Sequence, residues 1–290
     1  MNNQTKGILF ALLTVLLWAT TGTAMKLAVS RIDAFVVTVY IGLMATIALG
    51  IYLAFTKKIS EVYAEFKRQK SLYIIAGIIG LGFQQIAYLK SYALLPASQV
   101  VILFYLYPLF MVAIAALFFK EKTSRLSWLF LLMGFAGVYI LVAKGQLVVP
   151  ELNLGTILVI LAALGWALFS VLIKHYQFDI EVGMFIFNLV GLLSLAALIP
   201  FFGFAYKLSI AEFLGIAYIG VILTAGGFLL WNRALRLTRT AICSNIALLV
   251  PVFSLICIAL VLKEQIAWPQ IIGLVLILSS VVLSINLGRK

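Results

Sequence analysis

Charged residues are scarce in this chain of 290 residues. They make up only 10% of the sequence, whereas hydrophobic residues make up 65%. A soluble domain carries about 25% charged residues, because its surface must face water. The chain has too few polar residues to cover a water-facing surface, which excludes a soluble globular protein. It is predicted to be an integral membrane protein.

Carboxylates and histidine are scarcer still, with nine Asp and Glu together and one His. All nine carboxylates and His175 fall in predicted loops or at predicted helix ends. An intramembrane enzyme needs such groups clustered at the membrane midplane for acid–base or metal chemistry. Proton-coupled carriers also commonly place them inside the membrane. The sequence therefore predicts no enzyme activity, no cofactor, no metal site and no proton coupling through a buried carboxylate.

Cysteine is limited to Cys243 and Cys257, which fall in one predicted helix. Their spacing along the chain separates them by about 21 Å along the helix axis. They cannot form a disulfide with each other, and they suggest no metal site.

Long apolar runs fill most of the remaining sequence. A spanning helix needs about 20 mostly apolar residues, whereas spanning strands show alternating segments of about 10 residues. The runs here are long and do not alternate, so helices are predicted. The ten predicted spans are 8–29, 34–55, 72–92, 97–119, 126–144, 153–174, 182–205, 211–232, 240–262 and 268–287. Between them, only the segment 56–71 has the charge density of an extended loop.

Lysine and arginine are distributed unevenly along these spans. If the N-terminus is cytoplasmic, most of the 21 Lys and Arg fall on the cytoplasmic side. The positive-inside rule then places both termini in the cytoplasm of a multi-pass protein of the inner (plasma) membrane. The net charge of +12 follows from this bias and from contact with the lipid bilayer. Nucleic-acid binding is not predicted, because the charges are spread over loops, and the sequence leaves the oligomeric state open.

Two segments half a chain apart carry the same pair of residues. The segment LLWATTGTAMKLAVSR has Trp18 and, eight residues later, Lys26. The segment LGWALFSVLIKHYQ has Trp166 and, eight residues later, Lys174. The match indicates an internal repeat.

A second pattern recurs in the same way. YLYPLFMVAIAALFFKEK has Pro108 and closes on Lys-Glu at 120–121, and LLVPVFSLICIALVLKEQ has Pro251 and Lys-Glu at 263–264. We therefore predict two copies of a five-helix unit, residues 1–147 and 148–290. Five is odd, so the second copy enters the membrane in the opposite orientation. The predicted fold class is all-α, with ten transmembrane helices as two inverted repeats, a transporter architecture whose substrate lies near the midplane.

With both motifs in both halves, the chain resembles the drug/metabolite transporter superfamily, and within it the EamA-domain members. The resemblance covers nearly the whole chain. It implies transport of a small molecule, often export of amino acids or other metabolites, through a cavity formed mainly by helices 1, 3, 4, 6, 8 and 9. The shortened LLPASQ joint between helices 3 and 4 departs from the usual pattern. The resemblance does not fix the substrate.

Pro108 and Pro251 fall inside the fourth and ninth predicted helices. Proline removes a backbone hydrogen bond and clashes with the carbonyl four residues earlier, here Phe104 and Ala247. A carbonyl freed in hydrocarbon needs a partner or a water-filled cavity. Paired interruptions of this kind predict a hinge or a binding site, and a static packing kink is the alternative.

Trp18 and Trp166 fall deep in their helices, away from the interfaces where tryptophan is usual. Small residues accompany each ring on its helix face. That pattern suits close helix packing or a pocket that contacts an apolar ligand. We favour the pocket and predict that the two rings approach each other at the centre of the molecule.

Further substrate-binding candidates lie on the third, fourth and ninth helices, because polar residues in membrane helices usually face the bundle interior. Gln84 or Gln85 shares one helix face with Tyr88, which predicts a polar wall; hydrogen bonding between helices is the alternative. Tyr105 and Asn245 are the other candidates.

The charged residues at helix ends have simpler predicted roles. Lys26 and Lys174 are interpreted as interfacial anchors, because a lysine at a helix end can reach the membrane surface. Glu121 and Glu264 end the fourth and ninth helices, where the helix dipole disfavours an anion. A structural ion pair is therefore predicted at each.

Together these features predict a secondary transporter that works by alternating access and exports a small-molecule substrate. The lack of charge at the midplane favours a neutral or zwitterionic metabolite, most simply an amino acid with an apolar or aromatic side chain. A quaternary amine such as choline, held by cation–π contacts, is the alternative substrate. A membrane receptor that binds a ligand without transporting it is the alternative function.

Overall fold

The structure, a computed structural model, describes residues 2–28, 32–149, 151–204, 207–262 and 266–288. Every regular element in this part of the chain is helical. The first half contains α1 (Asn3–Ala19), α2 (Thr21–Ala28), α3 (Ala34–Phe55), α4 (Glu61–Arg68), α5 (Lys70–Gly77), π1 (Ile78–Phe83), α6 (Gln84–Leu94), α7 (Ala97–Phe104), α8 (Tyr107–Phe119) and α9 (Arg125–Ala143). The second half contains α10 (Leu154–His175), α11 (Ile180–Ala196), α12 (Ile199–Phe202), α13 (Ile210–Ala217), π2 (Tyr218–Gly226), α14 (Gly227–Leu237), α15 (Thr240–Ala247), α16 (Val250–Leu262) and α17 (Trp268–Gly288).

The helices form the spans that the sequence predicts. Within the described ranges, nine continuous or composite helices are long and apolar enough to cross a membrane. The seventh span is α11, whose 17 residues cover about 26 Å, followed by the short α12. The chain is thus an all-α integral membrane protein built from two inverted five-helix repeats.

The segment 56–71 is less irregular than its charge density predicts. It contains α4, an amphipathic helix with Glu61 in its first turn and Lys67 and Arg68 in its last. This order of charges complements the helix dipole, which stabilises a short helix at the membrane surface. We call this end of the bundle the basic face. It also carries the connections 120–124, 176–179 and 238–239.

The third span of each repeat contains a π-helical segment, π1 in the first repeat and π2 in the second. Such wide turns are rare and often occur at functional sites. In π1, a Cβ added at Gly80 would lie 2.4 Å from the Cβ of Phe169, so the turn brings its backbone against the opposite repeat. The sequence does not predict these segments.

The fourth span of each repeat is broken at equivalent places. Helices α7 and α15 end at Phe104 and Ala247, the residues whose carbonyls the following prolines would obstruct. Pro108 and Pro251 lie in the first turns of α8 and α16. Proline is accommodated there because its missing N–H is not needed in a first turn. The prolines therefore begin a helix rather than kink one, which corrects the predicted mid-helix position.

The first spans of the two repeats differ. Helix α1 ends at Ala19 and Thr20 separates it from α2, whereas α10 continues without a break to His175. The hydroxyl of Ser254 donates to the Ala19 carbonyl at 2.8 Å, so the second repeat satisfies a group that the break leaves free.

The two repeats interlock. The first helix of each repeat packs against the third and fourth spans of the other, α1 against α14, α15 and α16, and α10 against α6, α7 and α8. Helices α9 and α17, the fifth spans, pack on each other. We call the region between α1, α10 and α14, where the two repeats interlock, the centre.

Candidate functional site

Trp18 and Trp166 meet at this centre. Trp18 lies one residue before the end of α1, and Trp166 lies in the middle of α10. Their ring centroids are 5.7 Å apart with the planes at 69°, an edge contact. The structure thus brings together the two tryptophans that the internal repeat singles out, and their role in substrate binding stays a prediction.

Two aromatic residues of α14 join this cluster, and Phe169 of α10 borders it with its centroid 5.6 Å from that of Trp166. The centroid of Phe228 lies 6.0 Å from that of Trp18 and 5.3 Å from that of Trp166. The Trp231 centroid lies 5.5 Å from that of Trp18. We call Trp18, Trp166, Phe228 and Trp231 the aromatic quartet. It combines one ring from the first repeat with three from the second.

The indole N–H groups of the quartet have different environments. Trp231 donates to the Ser170 hydroxyl at 3.1 Å and is fully buried. Trp18 donates to the Leu223 carbonyl at 3.0 Å. The indole N–H of Trp166 has no hydrogen-bond partner among the described residues. Trp166 therefore presents the one indole donor of this cluster that the described chain leaves available.

The π2 segment explains the position of Trp18. The backbone N–H of Gly227, which follows π2, donates to the carbonyls of Ile222 and Thr224 and not to the Leu223 carbonyl between them. That carbonyl accepts the Trp18 indole instead. A Cβ added at Gly227 would lie 2.6 Å from the indole nitrogen, so the ring fits only beside glycine.

The third-helix candidates lie beside the quartet rather than in it. Gln84 is buried in α6, next to Gly165 of α10. Gln85 and Tyr88 are half-buried. The Tyr88 hydroxyl lies 2.9 Å from that of Tyr92. Gln84 thus packs beside Gly165, the residue that precedes Trp166 in α10, and its part in a polar wall stays a prediction.

Tyr88 and Tyr105 belong to a second aromatic group at the α6–α7–α8 boundary. The centroids of Tyr88 and Phe104 are 4.4 Å apart, and those of Phe104 and Tyr107 are 5.4 Å apart. The Tyr105 ring follows at 5.9 Å from Tyr107. No ring contact among the described residues links this group to the quartet.

Asn245 is fully buried on α15, which packs against α1. Its amide nitrogen donates to the Ala241 carbonyl at 3.0 Å, and its amide oxygen has no partner in the described chain. The buried oxygen of Asn232 on α14 is likewise unpaired there. An unsatisfied buried acceptor costs about 1–3 kcal/mol, so each of these two oxygens favours a donor that reaches it.

A second polar arrangement closes the basic face. The Lys174 ammonium contacts both carboxylate oxygens of Glu121 at 2.9 Å. The Thr240 backbone N–H and hydroxyl donate to the same carboxylate at 2.9 and 2.7 Å. We call Glu121, Lys174 and Thr240 the polar junction. It provides the ion pair predicted for Glu121 and corrects the interpretation of Lys174 as an anchor, whereas Glu264 and the Lys26 side chain lie outside the described residues.

The chemistry of the junction favours an ionised Glu121. Burial opposes ionisation, but the charge of Lys174 and the hydrogen bonds from Thr240 more than offset it, so the pKa of Glu121 is lowered. His175 lies close by, with its Nε2 3.7 Å from the carboxylate. The junction joins the first repeat to the second through charge.

Further ties cross the same face. Lys58 of the first repeat contacts Asp179 at 2.6 Å and Glu181 at 3.2 Å in the second. Gln69 donates to the Gln177 carbonyl at 2.6 Å. The basic face is therefore closed by contacts between the repeats.

Inverted repeats of this kind are a recurring architecture of membrane transporters. The sequence profile of the EamA-like transporter family matches residues 5–143 and 153–286, which is most of the chain. The protein belongs to the EamA-like transporter family.

Its relatives are transporters without an assigned substrate. An uncharacterized transporter of Clostridium kluyveri is 22% identical over 98% of this chain and 94% of its own length. The uncharacterized transporter YyaM of Bacillus subtilis is 26% identical over 83% of this chain and 80% of its own length. An uncharacterized transporter of Acidianus ambivalens is 29% identical, and that match spans 54% of this chain and only 61% of the relative.

A solved crystal structure of a protein shares this fold. It superposes with a TM-score of 0.85 at 22% sequence identity and covers 98% of both chains. At this level of identity the similarity shows the fold alone.

Proposed function

We propose that the protein carries small neutral or zwitterionic metabolites by alternating access, and that it exports amino acids with apolar or aromatic side chains from the cytoplasm. The contact between Trp18 and Trp166 carries this proposal. It places apolar rings from both inverted repeats at the centre, where a substrate must pass if the repeats move against each other.

The distribution of charge supports a substrate without net charge. In the described spans, carboxylates occur only in the first turns of helices, at Glu181 and Glu212. The Glu121–Lys174 pair lies at the basic face and is already neutralised. A strongly charged substrate at the centre would lack a counter-ion, whereas a zwitterion brings its own.

Polar atoms on the helices that surround the quartet match the ends of an amino acid. The unpaired oxygens of Asn232 and Asn245 can accept from an ammonium group. The free Trp166 indole N–H and the Gln84 amide can donate to a carboxylate. The rings of the quartet supply an apolar surface for the side chain.

A quaternary amine is the second candidate, and the quartet itself favours it. Three of the four rings of the quartet are tryptophans. Tryptophan gives the strongest cation–π attraction, and a quaternary ammonium needs no hydrogen-bond acceptor. Such a cation would be held without a carboxylate.

A ligand panel distinguishes these proposals. Purified protein is tested for thermal stabilisation by leucine, phenylalanine, tryptophan, choline and glycine betaine, and the same compounds are tested for counterflow in proteoliposomes. Stabilisation and counterflow with the apolar amino acids support the proposal. The same result with choline alone replaces it with the second candidate. Stabilisation without counterflow by any compound contradicts transport and indicates a receptor.

The direction of transport needs separate vesicle orientations. Export predicts that uptake of the stabilising amino acid is faster into inverted vesicles than into right-side-out vesicles under the same ion gradient. Faster uptake into right-side-out vesicles would show import instead.

A further inference from the structure

We propose that a cavity between α4, α5 and α10 binds the headgroup of an anionic phospholipid. The cavity has a volume of about 500 Å³ and opens beside the basic face. Its polar end is lined by Lys67, Arg68 and Lys70, and its apolar end by Ile75 and Leu172. This site is separate from the aromatic quartet and does not depend on the transported substrate.

The polar end of the cavity carries uncompensated positive charge. Arg68 is engaged, because it contacts Glu65 at 2.7 Å and the Gln177 carbonyl at 2.9 Å. Lys67 and Lys70 are exposed and have no ion-pair or hydrogen-bond partner in the described part of the chain. Two uncompensated ammonium groups on one concave surface attract a phosphate group.

The apolar end favours a lipid over a soluble phosphate. Ile75 belongs to the span Lys70–Leu94 and Leu172 to the span Leu154–His175, so both lie within membrane-crossing helices. The Ile75 side chain is half exposed beside the cavity. A soluble phosphate would use only the cationic end. A phospholipid would place its phosphate on the lysines and its acyl chains along Ile75 and Leu172.

Helix α4 fixes the depth of the cavity at the membrane surface. Phe55, which precedes this short helix, is 84% exposed. Tyr63, which belongs to it, is 75% exposed. Exposed aromatic residues beside lysines are typical of a helix that lies in the interface between water and lipid. The headgroups of the adjoining leaflet are therefore level with Lys67 and Lys70.

A bound lipid would connect the two repeats. Lys67 and Lys70 belong to the first repeat and Leu172 to the second. At the same place Arg68 and Gln69 both donate to the Gln177 carbonyl across the repeat boundary. Binding would therefore stabilise the conformation whose basic face is closed.

Native mass spectrometry and thermal melting of the purified full-length protein test this site. The probes are phosphatidylglycerol, phosphatidylcholine and inorganic phosphate. The test variant is Lys67→Gln with Lys70→Gln, and the matched control is Lys6→Gln with Lys57→Gln, which removes the same charge from exposed residues outside the cavity. We expect phosphatidylglycerol to be retained and to raise the melting temperature, and phosphatidylcholine to do neither.

The test variant should bind phosphatidylglycerol about 25-fold more weakly, since each of the two cations near an anionic headgroup contributes roughly fivefold in affinity. The control should stay within about threefold of wild type. Equal retention of both lipids, or equal losses in the test and control variants, would overturn the proposal. Equal stabilisation by inorganic phosphate would show a soluble-anion site instead. These measurements involve no transport, so their failure leaves the substrate proposal untouched.

Discussion

Lys174 of the second repeat lies 2.9 Å from both carboxylate oxygens of Glu121 in the first. The same carboxylate receives the backbone N–H that begins α15, at Thr240. The Glu121 side chain therefore joins the end of α8 to the end of α10 and to the start of α15. A carrier that alternates must separate these groups to open the basic face, so the junction is expected to set part of the cost of opening.

Glu121→Gln should weaken this junction. Removing the charge leaves Lys174 half-buried with a neutral partner, which we expect to cost about 1–3 kcal/mol of stability at neutral pH. Because the pKa of Glu121 is lowered by folding from its ordinary value of 4.5, the stability it contributes is present above that pH and is lost as the pH falls through the lowered pKa.

Thermal melting of detergent-purified protein between about pH 7 and about pH 3 checks this expectation. The difference between wild type and Glu121→Gln should shrink towards the acid end of the range. Glu151→Gln, at an exposed carboxylate on the opposite face, is the control and should match wild type throughout. A constant difference at every pH would show that the ionised carboxylate is not the stabilising group.

The same variant tests proton coupling. The carboxylates of the described spans lie in first turns, so we expect Glu121→Gln to change the rate of transport without abolishing any response to a pH gradient. Proteoliposomes with an imposed pH gradient provide the measurement. Complete loss of a proton-driven signal in correctly folded Glu121→Gln would make Glu121 a coupling residue.

Trp166→Phe should reduce substrate affinity while the melting temperature without ligand stays close to wild type. The change keeps an aromatic ring and removes an N–H that the described chain does not bind. A hydrogen bond from this N–H to the substrate contributes about 0.5–1.5 kcal/mol, so affinity should fall roughly three- to tenfold.

Trp18→Phe is the internal comparison for this experiment. It removes the hydrogen bond to the Leu223 carbonyl, so it should lower stability as well as affinity. Ligand titration and melting curves for both variants separate the two effects. If Trp166→Phe loses stability as much as Trp18→Phe and binds substrate normally, both rings are packing residues, and the site should be sought around Gln84 and Tyr88.

Gly227→Ala should impair transport by displacing Trp18. The new methyl group would lie 2.6 Å from the indole nitrogen, which forces the ring or α14 to move and costs about 1–3 kcal/mol. Gly226→Ala is the matched control, because its Cβ would meet only the Val221 carbonyl at 3.6 Å. If the two variants have the same melting temperature and the same flux, the packing of Trp18 against α14 does not affect transport.

Membrane orientation is tested with single cysteines at exposed positions of the two faces. In a Cys257→Ser background, Tyr63→Cys should react with an impermeant maleimide in inverted vesicles and not in intact cells, because the basic face is predicted to be cytoplasmic. Leu152→Cys, on the opposite face, should show the reverse pattern; the two native side chains are 75% and 86% exposed. If Tyr63→Cys reacts in intact cells and Leu152→Cys only in inverted vesicles, the orientation in the membrane is the opposite of the predicted one.

The spans and their pairing were predictable because they depend on local composition. Stretches of apolar residues define where the chain crosses the membrane, and Pro108 and Pro251 define where the fourth spans break. Repeat symmetry alone also indicated that Trp18 and Trp166 meet. Each of these properties is encoded within about 20 residues of sequence.

The rest of the centre depends on contacts between distant segments. Phe228 and Trp231 lie in an apolar run, where an aromatic residue facing the centre cannot be told from one facing lipid. Repeat symmetry did not reveal them, since Ala87 and Lys90 stand at the corresponding places in the first repeat. The break after Ala19 likewise requires the hydroxyl of Ser254 from the other repeat.

The wide turns in the third spans bear on the ancestry of the protein. When the sequences of the two repeats are aligned by matching Ala93 with Ala234, the positions of π1 fall within those of π2. The same irregularity therefore occurs once in each half, at the same depth. The simplest history is a single wide turn in an ancestral five-helix unit, before its gene was doubled. For two such units to pair as these halves do, that ancestor had to insert into the membrane in both orientations.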